Sequence, residues 1–122
     1  MNTRTKIDDA FEEIGVRRGG ELYFSVSDAL RLVDYSVEEG MAVVGIEGVE
    51  IVDGRTRPVS DAIADFSNRE GKPWNEFVQS CRTAAKDYLQ QLPPRRDLHV
   101  TLTVLSREEW RRYGSPEDAQ PE

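Results

Sequence analysis

Apolar residues recur at helical spacing in three stretches of the chain. Ile7, Ala10, Phe11 and Ile14 predict a first helix from Lys6 to Gly15, with Asp8 and Asp9 in its first turn, where negative charge suits the helix dipole. Ala29, Leu30, Val33 and Val37 form a second stripe, ending near Glu39 before Gly40. Ser25 followed by Asp28 approximates a capping box for this helix, and Ser27 is a rival N-cap. The third stripe is the longest: Trp74, Phe77, Val78, Cys81, Ala84, Ala85, Tyr88, Leu89 and Leu92 fall at steps of three and four. Pro73 suits the first position of that helix and Pro93-Pro94 stops it.

Elsewhere the period drops to two. Leu22, Phe24 and Val26 alternate after the turn Arg17-Arg18-Gly19-Gly20, which reads as a short strand or an extended lead-in. Met41 to Val52 reads as a strand whose phase breaks at Gly48, the mark of a glycine bulge that could bring Glu47 and Glu50 to one face. Asp53-Gly54 is a type I′ hairpin signal. Its partner strand is expected over Arg55 to Val59, short or at an edge because Pro58 cannot donate to a ladder. Residues 60 to 72 read as a polar connection pinned by Ile63 and Phe66. Leu98, Val100, Leu102 and Val104 alternate with His99, Thr101 and Thr103, a half-buried strand. Ser106 and Glu109 form a capping box for a short last helix carrying Trp110, which either caps the core or stands out as an anchor.

These elements predict one small α+β domain over residues 4–113: an antiparallel or mixed sheet of three to four strands, with three to four helices packed on one face. Residues 114–122, polar and with two prolines, read as a disordered acidic tail.

Charge changes the picture more than composition does. The 122-residue chain carries a net charge of −7, so phosphate-bearing partners would be repelled and basic proteins attracted. The charge is polarised. Residues 34–65 hold eight acids against two bases, a net −6, whereas residues 82–112 are net basic. Glu38 and Glu39 end a helix, where carboxylates oppose the dipole, and such a broken local rule tends to mark functional surface. The expected partner surface is therefore an acidic patch of Glu38, Glu39, Glu47, Glu50, Asp53, Asp61 and Asp65 for a basic protein.

Candidate chemistry is sparse. One cysteine excludes an internal disulfide and a cysteine metal cluster, and one histidine excludes a multi-His site. Neither a phosphate-binding glycine loop nor a metalloprotease or EF-hand spacing occurs. Cys81 reads as a small core residue and His99 as a surface or cross-strand residue. The N-terminus has no apolar signal segment and no stretch is long enough to span a bilayer, so a cytoplasmic protein is expected, with no cofactor, no metal, no catalytic residue and no direct contact with nucleic acid or membrane.

A resemblance sharpens this reading. Ala29-Leu30-Arg31-Leu32-Val33 and Ala42 to Ile51, then Asp53-Gly54-Arg55-Thr56-Arg57-Pro58 and Asp61, resemble bacterial polymorphic-toxin immunity proteins of the immunity protein 40 type. The similarity continues through Glu70-Gly71-Lys72-Pro73-Trp74-Asn75-Glu76-Phe77, Ser80, Ala84, Ala85 and Tyr88 to the last strand, covering roughly residues 28–105. After Asp61 the chain departs from that pattern, with Ala62-Ile63 in place of an aromatic residue. The resemblance implies a non-enzymatic protein that binds a cognate toxin, delivered by contact-dependent or type VI-like secretion, and blocks it by stoichiometric occlusion. Nucleases with basic clefts are among such toxins. Two other classes share parts of the pattern: an acidic protein-binding or DNA-mimic module unrelated to toxins, and a small enzyme using His99 with a carboxylate.

Overall fold

A computed structural model describes residues 11–68, 72–93 and 97–113. The expected tail and residues 6–10 of the first predicted helix lie outside these. The part of that helix expected up to Gly15 is not helical beyond Phe11: residues 12–14 form a turn, in which Ile14 and Gly15 both donate backbone N–H groups to the Phe11 carbonyl. The chain then forms β1 (Val16–Arg18) and β2 (Glu21–Tyr23), joined by Gly19-Gly20. Both glycines have positive φ, as a two-residue primed turn requires, so the basic pair Arg17-Arg18 belongs to the strand and only the glycines turn.

Helix α1 (Val26–Glu38) begins at Ser25, whose hydroxyl accepts the Asp28 N–H at 3.2 Å; the rival Ser27 lies inside the helix. Gly40, at φ 82°, ends it. Strand β3 (Met41–Val52) turns at Asp53-Gly54, both with positive φ, into β4 (Arg55–Asp65). Helix α2 (Trp74–Gln91) follows, then β5 (Leu98–Ser106) and α3 (Arg107–Tyr113). Pro73 is the N-cap of α2 with extended backbone, one position before the helical place expected for it. The Ser106–Glu109 box is closed in both directions, Ser106 N–H to Glu109 Oε1 at 2.8 Å and Glu109 N–H to Ser106 Oγ at 3.1 Å.

The main sheet has the order β4-β3-β5, antiparallel throughout, and the α+β class is as expected. Phe24, just past β2, adds one bridge to the outer edge of β5 at Val100. Two irregularities shape the sheet; one falls at Gly48 as expected, but its extra residues are in β4 and not in β3. On the β5 side the extra residue of β3 is Val44, between the pairs Val43–Val104 and Gly45–Thr103. On the other side the extra residues are in β4: Glu47 pairs with Ile63 and Val49 with Pro58, so the single residue Gly48 faces the whole segment 59–62. That excursion turns Val59 and Ala62 inward onto Leu98. It also explains why β4 runs on to Asp65 instead of ending at Val59. The proline is confined to an edge strand, and pairing resumes beyond the excursion. Gly48 is required there, because a Cβ would come within 2.5 Å of the Ala62 Cβ.

The helices pack on each other and on β3. Ala29, Leu32 and Val33 of α1 meet Ala85 and Leu89 of α2 over Val43, Ile46, Val100 and Val104 of the sheet. A second cluster joins Trp74, Phe77, Val78 and Cys81 of α2 to Ala42. Trp110 is half-buried against it, its ring centroid 5.5 Å from that of Trp74 and 6.4 Å from that of Phe77. Of the two roles open to Trp110, the structure therefore gives core capping. Phe66 pins the end of β4, as expected, through its N–H on the Val44 carbonyl and an edge contact with Tyr88. Ile63 does not pin anything: it is 57% exposed.

Candidate functional site

In an antiparallel sheet, residues opposite one another share a face, and the face alternates along each strand. Two rows on the β4-β3-β5 sheet follow from the register. One is Asp65–Gly45–Thr103 and the other Ile63–Glu47–Thr101. Both belong to the phase opposite the core-facing Ile46 and Val100, and Glu47, Ile63, Asp65 and Thr103 are exposed. This open face is the candidate site. Its centre, Gly45, has no side chain, so the array is a shallow depression lined by Glu47, Ile63, Asp65, Ser67 and Thr103. Glu47 and Asp65 are diagonal neighbours across it, about 7 Å apart by sheet geometry.

Asp65 is held in place. Its Oδ1 accepts the Ser67 N–H at 2.9 Å, and hydrogen bonds from Ser67 lower its carboxyl below the usual range, so it carries full charge at neutral pH. Tyr23 sits one strand further out: the Phe24–Val100 bridge puts it beside Thr101. Burial raises the Tyr23 phenol first, and the fields of Glu21 and Glu47 raise it further. These two carboxylates therefore act on the same spot.

The remaining acids expected in the patch do not join this array. Glu50 pairs with Leu98 and Glu47 with Thr101 in unbroken register, so the two glutamates point to opposite faces and the expected convergence does not occur. Glu50 also holds Arg57 across the hairpin at 2.8 Å. Glu38 and Glu39 lie where α1 meets β3, and Asp53 lies at the hairpin tip, roughly 35 Å away along a strand of 12 residues. Asp61 is exposed in the β4 excursion, its carbonyl accepting the Tyr88 hydroxyl at 3.2 Å. Asp34, another acid of the same stretch, is tied to α2 by Arg82 at 2.9 Å and Lys86 at 3.0 Å.

Thr101, Thr103, Gly45 and Ile63 are the parts of the array that charge alone does not point to. The polar phase of β5 carries the signal for the two threonines. Ile63 was hidden, because its pairing depends on where β4 resumes after the excursion.

The nucleophile and base candidates are differently placed. Cys81 is buried in the α2 cluster, its Sγ 3.4 Å from the Phe66 carbonyl, and burial pushes its thiol up to about 11. That environment suits a core residue and opposes thiolate formation. His99 faces Val49 across the strands, and its Nδ1 lies 3.1 Å from the Asp97 carbonyl, a backbone group and not a carboxylate. Among the described residues there is no cluster of three or more His, Cys, Asp or Glu side chains able to hold a metal, and no helix long and apolar enough to cross a membrane. Comparison of the chain with protein-family models, with curated proteins and with solved structures finds no match.

Proposed function

We propose that this protein is an inhibitor of the immunity-protein kind, which binds a basic toxin domain one to one and occludes it. The observation that carries this reading is the open sheet face, where Glu47 and Asp65 flank the exposed Ile63 around Gly45. Such an array combines the two things a fast inhibitor needs. Unpaired surface charge steers a basic partner in, and a solvent-exposed apolar side chain ringed by polar groups provides an anchor that loses water on contact. The threonines of β5 add hydrogen-bonding hydroxyls on the same plane. The resemblance to immunity proteins over residues 28–105 supports the choice of a secreted toxin as the partner.

The test is co-expression. The C-terminal domain encoded by the reading frame next to this gene in its source genome is produced in a bacterial host with and without this protein. The reading expects growth arrest by the domain alone, relief by co-expression, and co-purification of the two at one-to-one stoichiometry. A harmless domain, or arrest that the protein does not relieve, contradicts it.

A further inference from the structure

The two edges of the main sheet are treated differently. The β4 edge is blunted: it contains Pro58, departs from pairing over 59–62, and is held to α2 by the Tyr88–Asp61 hydrogen bond. Those are the devices by which sheets avoid adding a strand. The β5 edge has none of them along its described length. Its residues are Leu-His-Val-Thr-Leu-Thr-Val-Leu-Ser, and the irregularity opposite it is in β3, so β5 itself alternates without interruption.

Val100 shows which groups face outward. Its N–H donates to the Phe24 carbonyl and its carbonyl accepts the Phe24 N–H, both at 2.8 Å. Alternation along the strand turns the N–H and C=O of Leu102 and Val104 to the same outer side. Leu22 and Gly20, which would continue from Phe24 opposite Leu102 and Val104, diverge from β5: the N–H and C=O of Leu22 point to the same side as those of Phe24, yet among the described residues no backbone hydrogen bond joins them to Leu102 or Val104. The divergence opens a cleft of about 270 Å³ between β2 and β5, lined by Leu22, Phe24, Thr101, Leu102 and Val104, with the carboxylates of Glu21 and Glu47 also on its wall.

We propose that the outer edge of β5 at Leu102 and Val104 receives an extended, lysine- or arginine-bearing segment of a partner protein, which adds to the sheet as a further strand. Backbone hydrogen bonds to the two residues supply register, and Glu21 and Glu47 select a basic segment by charge. This deepens the proposed function, since it rests on a basic protein partner and names the surface and conformation of the segment bound. Glu47 lines both the cleft and the open-face depression, so one docked protein can engage both.

The experiment uses the full chain and two short acetylated peptides, one alternating lysine and threonine and one alternating glutamate and threonine. Amide hydrogen exchange is read by nuclear magnetic resonance. The lysine peptide is expected to slow exchange at Leu102 and Val104 about tenfold, as backbone pairing does. Glu47→Lys, a surface change, is expected to weaken that peptide's binding about fivefold. Unchanged exchange at both amides, or equal protection by the glutamate peptide, overturns the proposal. So does protection that grows with protein concentration in the absence of peptide, which would assign the edge to a second copy of the chain. Neither peptide involves a toxin. Relief of growth arrest without amide protection therefore removes this inference alone, and protection without relief removes the toxin reading alone.

Discussion

Gly48 illustrates how a single missing side chain organises this sheet. It is the one residue of β3 that faces the β4 excursion, and a Cβ there would meet both the Cβ of Ala62 at 2.5 Å and its carbonyl at 3.2 Å. Gly48→Ala should cost about 1–3 kcal/mol in urea unfolding, the usual penalty for overpacking. Adding Ala62→Gly should restore part of that loss, because it removes the atom struck first. A loss that the second change leaves untouched would mean the contact is not the cause. Cys81 offers a second check at this scale. With its thiol pushed up to about 11, the thiolate fraction at pH 8 is about 100-fold below that of a thiol at the ordinary value of 9.0. Alkylation by iodoacetamide at that pH should be about 100-fold or more slower in the native protein than in urea, where the ordinary value returns. Rapid native alkylation would reopen the nucleophile question.

The helices were legible in the sequence because their apolar stripes and caps are local. Ser25, Gly40, Pro73 and the Ser106–Glu109 box mark ends that the structure places at the same residue or one away. The strands were legible as elements but less so in their irregularities, since a register shift depends on which partner strand holds the extra residues. The phase break at Gly48 was visible, yet its cause sits in β4, where Val59 and Ala62 gain burial against Leu98. The same reason separates Glu47 from Glu50. Between helices, Asp34 on α1 binds Arg82 and Lys86 on α2, a pairing across 48 and 52 residues that no local pattern predicts. Burial alone would raise the Asp34 carboxyl. Hydrogen bonds from Lys86 and Arg82, with their charges, outweigh it and set it below its ordinary value. A carboxyl lowered by folding adds stability above its unfolded value, about pH 4, and that increment vanishes as pH falls through the folded value. Asp34→Asn should therefore lower the midpoint of thermal unfolding at pH 7. The gap to the unmutated protein should close as pH drops below 4. A gap that stays constant down to pH 2 would show that the ion pair is not its source.

Across the whole molecule, the acidic character is unevenly used. Some of the carboxylates between residues 34 and 65 are engaged within the chain, as Asp34 and Glu50 are, and others lie at opposite ends of β3. What gathers on a single plane is a smaller group, Glu47 and Asp65 around Gly45 with Ile63, Thr101 and Thr103. The net −6 of the stretch was plain in the sequence, and its division into structural and open carboxylates came only with the register. That division sharpens any test of binding. Glu50→Lys would set a cation against Arg57 and disturb the hairpin, whereas Glu47 and Asp65 can be reversed on an exposed face. The decisive measurement is the association rate of the toxin domain with the Glu47→Lys/Asp65→Lys protein, followed by stopped flow at low and high salt. The account predicts a rate about tenfold or more below that of the unmodified chain at low salt, a difference that fades as salt screens the charges. Equal rates for the two proteins at low salt would contradict it.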